Sequence, residues 1–187
     1  MAERTGTGGF VPRDVTLRDG TTVAVRSIDA SDGPRLVRFH ATLSSESIRT
    51  RFFSVHPFLS ARETVRFTTV DHHDREALVA LVDDEIIGVG RYERLARAVD
   101  AEVAFVVADR WQRRGLAPIL FELLAARARE EGISRFVAET LGGNLAMLKV
   151  FRQSGLAMTT SWASGEVHVT MQLGPPPGGG APPGSVV

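Results

Sequence analysis

The stretch AEVAFVVADRWQRRGLA, Ala101 to Ala117, decides the fold. Residues 103–107 are β-branched and aromatic and read as a strand. The chain then turns through residues 109–114, and a helical pattern opens around Leu116. Leu116, Ile119, Leu120, Leu123, Leu124 and Ala128 keep the three-and-four spacing of a helix with one buried face, which stops near Gly132. Pro118 falls in the first turn, where a missing N–H matters little because those donors have no intrahelical partner. The N–H groups of Arg113, Arg114, Gly115, Leu116 and Ala117 are therefore expected to point outward together. With the positive end of the helix dipole behind them, and small Gly115 and Ala117 allowing close approach, they make a seat for a phosphate or pyrophosphate. Arg113 and Arg114 are expected to add mobile positive charge. Taken without context, the same segment is equally a plain tight turn beside a solvated face. It is neither a P-loop, which needs Gly-Lys-Ser/Thr after four spacers, nor the three-glycine dinucleotide fingerprint, which disfavours nucleoside triphosphatase and Rossmann readings.

Outward from this segment the chain alternates strand and helix. Residues 15–28, interrupted by Asp19-Gly20, read as a hairpin or one long strand, and 32–43 and 60–68 as helices. Strands at 77–82 and 86–94 flank the polar turn Asp83-Asp84-Glu85, and 102–107 completes an antiparallel meander. After the Leu116 helix come a strand at 135–140, a helix from Asn144, and a last strand pair near 157–161 and 166–173. The result is an α/β domain with a mixed sheet. Its anion loop follows the carboxyl end of a central strand, where open α/β sheets bind ligands. Residues 1–12 and 174–187 are rich in Gly, Thr, Pro and Ala and are expected to be disordered ends of one domain covering 13–173.

Composition narrows the function. A chain of 187 residues that is 43% hydrophobic has enough apolar surface for one sizeable core. Its 22 basic and 22 acidic residues are interleaved, which argues against a nucleic-acid stripe or a polybasic membrane patch. The absence of cysteine excludes a thiol nucleophile, a disulfide framework and a Cys-based zinc site. No apolar run is long enough to cross a bilayer and no signal peptide is visible, so a cytoplasmic location without a membrane partner is expected. His72 and His73, beside Asp71 and Asp74, lack a third ligand motif. No metal is expected there; an acceptor-groove contact or a solvated loop is preferred.

The spacing Gln112-x-x-Gly115-x-Ala117, after a strand bearing Glu102, resembles the acyl-CoA pyrophosphate loop of the GNAT N-acetyltransferase superfamily. The segment from Gly143 to Leu156 looks like the later Asn-plus-helix segment of that superfamily. Residues 45–53, Arg66-Phe67-Thr68 and 74–80 are similar to the catalytic domain of bacterial Pat-type protein lysine acetyltransferases. The resemblance covers about residues 15–173. It implies a mixed, mostly antiparallel central sheet flanked by helices, with a bulged and splayed central strand forming the acyl-CoA cleft. It also implies acetyl-CoA as cosubstrate, bound at its pyrophosphate by Gln112, Arg113, Arg114, Gly115, Leu116 and Ala117. Backbone groups of Phe105, Val106 and Val107 would bond the pantetheine arm. The Val107 N–H would stabilise the oxyanion, an effect on the order of 3 kcal/mol. Asn144, Met147 and Phe151 would line the coenzyme arm, although from residue type alone Asn144 is equally a helix N-cap, and Met147 and Phe151 core filler.

Acetyl transfer to a lysine, whose amine has a pKa of about 10.4, requires a proton acceptor. By resemblance that is Glu102, directly or through a water, and partial burial would raise its pKa toward the task. From the strand pattern alone it is an ordinary exposed acid. Phe151 stands where many members of the superfamily carry a Tyr that protonates the leaving thiolate, and the single tyrosine, Tyr92, lies on another strand. Water or bulk solvent would then serve, since a thiol pKa of about 8.5 makes thiolate departure tolerable. Arg51 is expected to position an acidic neighbour, and Phe52 and Phe53 to pack in the core. Arg49 stands where the family pattern often has an aromatic. The implied activity is transfer of acetyl to a lysine ε-amine of a protein, by resemblance an AMP-forming acyl-CoA synthetase, through direct attack in a ternary complex. Two rivals are an acetyltransferase acting on a small amine and a non-catalytic acyl-CoA-binding module. Pat-type proteins often carry a regulatory domain, and none is visible here, so control by cyclic nucleotides or amino acids is not expected. The sequence specifies neither acyl-chain preference nor oligomeric state.

Overall fold

A computed structural model describes residues 8–52, 58–96 and 99–174. The elements run β1 (Arg13–Thr16), β2 (Thr22–Ser27), α1 (Gly33–Ala41), α2 (Ser45–Phe52), α3 (Ala61–Thr68), β3 (Arg75–Val82), β4 (Glu85–Arg94), β5 (Asp100–Val107), α4 (Leu116–Glu130), β6 (Arg135–Leu141), α5 (Leu145–Gln153), β7 (Met158–Ala163) and β8 (Glu166–Gln172). The strands form one sheet in the order β1-β2-β3-β4-β5-β6-β8-β7. Every neighbouring pair is antiparallel except β5–β6. Residues 15–28 thus make a hairpin, turning where Asp19 Oδ1 accepts the Thr21 N–H at 3.0 Å.

Strands β3 and β4 are buried on both faces, as near-continuous apolar runs require when helices cover both sides of a sheet. On one face α4 and α5 close a core containing Leu78, Val103, Phe105, Leu120, Phe121 and Phe151. On the other, α1 and α3 close a second core around Ile28, Leu36, Phe39, Val79 and Val89. Helix α4 lies close against β4 because Gly88 and Gly90 present no side chains to it. A Cβ at Gly88 would come within 2.9 Å of Leu116, and one at Gly90 within 2.8 Å of the Phe105 ring.

Helix α2 does not follow from its own sequence, which is mostly polar. It is held by tertiary bonds. Ser44 Oγ accepts the Ser47 N–H at 3.2 Å, and Asp109, which follows β5, accepts from Ser44 N (2.9 Å), Ser44 Oγ (2.6 Å) and Ser47 Oγ (2.9 Å). Packing also begins earlier than expected. Phe10 is buried, and its N–H donates to Ser27 Oγ at 2.9 Å, because an aromatic ring beside β2 has a core to enter. Residues 1–7 and 175–187, Phe53 and the Phe52 side chain lie outside the described residues. Among the described residues no helix is long and apolar enough to cross a membrane.

Candidate active site

Strand β5 sits between an antiparallel and a parallel neighbour, and the two ladders differ in length. The bonds Ala108 N–H to Ile87 O and Leu95 N–H to Asp100 O, both 2.9 Å, frame the β4–β5 ladder and place the even-numbered residues of β5 in its hydrogen-bonded pairs. The odd-numbered residues turn their N–H and C=O groups toward β6. Pairing with β6 runs only from Asp100↔Arg135 to Glu102↔Val137. Beyond it β6 continues against β8 while β5 continues against β4, and the two strands part. The Phe105 and Val107 N–H groups are left without a strand partner among the described residues. Val106 instead pairs with Val89, so its backbone does not face the gap. The expected bulge is absent from this strand: the β4–β5 register is unshifted, and the irregularity lies between β3 and β4 at Ala80/Leu81.

The loop after β5 has the conformation that an anion seat needs. Arg113 (φ 63°) and Gly115 (φ 94°) are left-handed, which gathers successive amides into a concave nest at the start of α4. The first bond into the helix is Ile119 N–H to Gly115 O at 3.4 Å, so the Leu116 and Ala117 N–H groups have no intrahelical acceptor. Arg114, expected to be mobile, is held by Asp19 at 2.9 Å and lies 4.7 Å over the Trp111 ring. Arg18, an exposed residue of the β1–β2 turn, also lies beside the seat. The Arg18 N–H donates to Arg114 O at 3.1 Å, and a Cβ at Gly115 would lie 3.2 Å from Arg18 Cγ. Sequence reasoning missed Arg18 because only the folded hairpin brings it near Gly115. Gln112 turns its amide inward, donating to Val107 O and to Ser47 Oγ at 3.1 Å each, and so ties loop, strand and α2 together.

The parted strands flank an open cleft. Glu102 and Phe105 of β5 face Ala138 and Thr140 of β6 across it, α2 contributes Thr50 and Arg51, and α5 contributes Asn144, Met147 and Phe151. Glu102 is exposed rather than partly buried. Burial disfavours the Arg51 charge and lowers its pKa, against the opposing field of Glu102, which is thus the acidic neighbour expected for Arg51. Asn144 is an N-cap, its Oδ1 accepting the Met147 N–H at 3.1 Å. Phe151 is buried, 5.9 Å from the Phe121 ring, and serves as cleft wall and core at once. Thr140 was not anticipated. Its hydroxyl is buried beside the cleft with no hydrogen-bond partner among the described residues, and a threonine on a strand carries no signal of this.

Other candidates lie elsewhere. Tyr92 is fully buried, burial pushes its pKa up, and its hydroxyl donates to His73 O at 3.3 Å. His72 and His73 do not line the cleft. His72 Nδ1 stands 3.1 Å from buried Glu76, His73 pairs with Glu131, and Arg127 joins Glu131 at 2.7 Å and His72 O at 2.7 Å. This clamp sits at the far end of α4, whose 15 residues separate it from the anion seat by about 22 Å. Among the described residues no three potential metal ligands converge.

The acetyltransferase (GNAT) family profile matches residues 44–156, from the cap of α2 to the end of the α5 segment. Acetyltransferase Pat of Mycolicibacterium smegmatis is 30% identical over 165 residues, which are 87% of this chain and 48% of that protein; this chain therefore spans about half its length. Acetyltransferase PA5475 of Pseudomonas aeruginosa is 29% identical over 136 residues, 71% of this chain and 73% of that protein. The crystal structure of the GNAT domain of S. lividans PAT superposes with a TM-score of 0.82 at 44% identity, covering 86% of this chain and 96% of that one. The family profile covers more than half of the chain and the fold superposes closely on that domain, and the chain belongs to the GNAT acetyltransferase family.

Proposed function

We propose that the protein transfers acetyl from acetyl-CoA to a lysine ε-amine of a protein, by direct attack in a ternary complex, with an AMP-forming acyl-CoA synthetase as the acceptor class. One observation carries the reading: beyond Glu102, the last β5 residue paired with β6, the strand is open on that side up to Val107, and the loop that follows ends in the amide nest at Leu116 and Ala117. Relatives named Pat support the protein acceptor. Residues 13–173 form the catalytic domain in this reading, and 1–12 and 174–187 are its ends.

The open amides of the nest, with Arg18 and Arg113, hold the pyrophosphate; Gln112 fixes the loop that presents them. The Phe105 N–H bonds the pantetheine arm. The Val107 N–H bonds the thioester oxygen, which gains charge in the transition state, a contribution on the order of 3 kcal/mol. Asn144, Met147 and Phe151 wall the arm, and the Thr140 hydroxyl offers it a polar contact. Glu102 accepts the amine proton, directly or through water. Phe151 has no proton to give, so the thiolate leaves unassisted or takes a proton from water, which its pKa of about 8.5 permits.

The test is acetyl-CoA-dependent acetylation of a deacetylated lysate read by mass spectrometry, with wild type and Glu102→Gln. Loss of about 10²- to 10⁴-fold in rate with CoA affinity retained is expected. Equal rates in the two proteins would remove Glu102 as the base; CoA binding without any protein acetylation would move the acceptor to small amines.

A further inference from the structure

The even-numbered face of β5 puts a second cavity beside the cleft. It is walled by Leu36, Phe39 and Val106 and shares Arg51 and Ala104 with the cleft, so each opens beside the other. Into this apolar space the fold places two guanidinium groups, Arg51 from α2 and Arg91 from β4. Arg91 is only 9% exposed and lies 4.6 Å from the Phe67 ring centre; its Nη2 is buried with no hydrogen-bond partner among the described residues. Burial and the neighbouring Arg51 push its pKa down to about 10, so it remains charged at neutral pH. The acid that attracts it, Glu93, is bonded to Arg66 at 2.9 Å, and Glu102 acts on Arg51 instead. A buried guanidinium with an open donor is unfavourable unless an acceptor completes it.

We propose that this cavity receives the carboxylate of a short aliphatic chain carried by one of the two reactants, with Arg91 and Arg51 as its anion partners. The apolar walls suit methylenes, and the planar guanidinium suits a carboxylate. The inference rests on the cleft being the site of acyl transfer. The carboxylate has two sources: the far end of a dicarboxylic acyl thioester, or an amine acceptor that also bears a carboxylate. In either case the amine nitrogen bonds the thioester carbonyl carbon, the carbon–sulfur bond breaks, the coenzyme leaves as thiolate, and the amine proton passes to Glu102. The second carboxylate is unchanged.

The experiment compares wild type, Arg91→Met and Arg91→Lys in two arms. The donor arm measures kcat/KM for succinyl-CoA against its neutral isostere butyryl-CoA. The acceptor arm measures kcat/KM with acetyl-CoA for glutamate-type amines against their side-chain amides. Binding of glutarate and of CoA is titrated separately. We expect wild type to favour the carboxylate in one arm by about 10- to 100-fold, Arg91→Met to lose that preference and its glutarate binding, and Arg91→Lys to keep part of both. No preference in either arm, or a preference that persists in folded Arg91→Met, overturns the proposal. If Arg91→Met does not fold, the graded loss in Arg91→Lys decides. Failure to bind CoA while glutarate binds would refute the cleft reading and leave the cavity standing; CoA binding without glutarate binding would do the reverse.

Discussion

Gly115→Ala tests the anion seat with one carbon atom. At φ 94° a residue with a Cβ loses roughly 1–2 kcal/mol. The added Cβ would lie 3.2 Å from Arg18 Cγ, but that exposed side chain can swing away, so the backbone term dominates. For a domain of this size each kcal/mol moves Tm by about 2–4 °C, which gives a fall of about 2–8 °C. Should the loop relax instead, the Gly115 and Leu116 amides turn from their common direction. Losing one charge-assisted hydrogen bond to a phosphate, about 1.5–3 kcal/mol, weakens CoA binding by about 10- to 150-fold. Calorimetry supplies the first quantity. Titration with CoA, beside kcat/KM for acetyl-CoA and for the acetyl thioester of N-acetylcysteamine, which lacks the pyrophosphate, supplies the second. The variant should lose rate with acetyl-CoA and keep it with the truncated thioester, and Gly115→Asn should recover part of the Tm because Asn tolerates the left-handed region. A Gly115→Ala variant that keeps both its Tm and its CoA affinity would refute the seat, and equal losses with both thioesters would refute its assignment to pyrophosphate.

Gly90→Ala places a Cβ 2.8 Å from the Phe105 ring, which cannot yield without moving β5; denaturant titration should show about 1–3 kcal/mol lost, and unchanged stability would mean that the Phe105 ring is not packed over Gly90 as described. Burial works against ionisation of Asp109, but bonds from the Ser44 hydroxyl and amide and the Ser47 hydroxyl outweigh it and hold its carboxyl below the ordinary range. A depressed folded pKa gives stability that is complete above the unfolded value of about 3.9 and is lost as pH falls through the folded one. Wild type should therefore melt above Asp109→Ala at pH 7 and converge with it below about pH 4; a difference in Tm that is constant with pH would refute the link between Asp109 and α2.

Much of the frame is legible without coordinates. The hairpin at Asp19-Gly20, the paired strands around Asp83-Asp84-Glu85, the helix opening at Gly115 and the Asn144 cap all rest on local signals: turn residues, apolar period and capping chemistry. Helix α2 is not legible in the sequence. Ser45–Phe52 has no apolar stripe, and its stability comes from Asp109, far along the chain. Arg114 shows a different limit of the sequence. Its charge is evident in sequence, but its pairing with Asp19 and stacking on Trp111 are not, nor is the approach of Arg18 to Gly115 across the folded hairpin.

The amino-acid sequence by itself determined the order of the strands and of helices α1 and α3 to α5, the turn at Gly115 and the family resemblance, because each depends on residues within a few positions of one another. Tertiary structure alone decided where β5 and β6 part, which of the Phe105, Val106 and Val107 amides face the gap, and that Arg51 and Arg91 share one cavity. These are properties of pairing between distant segments. Strand register selects which backbone groups remain open, and packing of α1 to α3 over β4 and β5 selects which charges are buried together; neither choice is encoded in any short window of the chain.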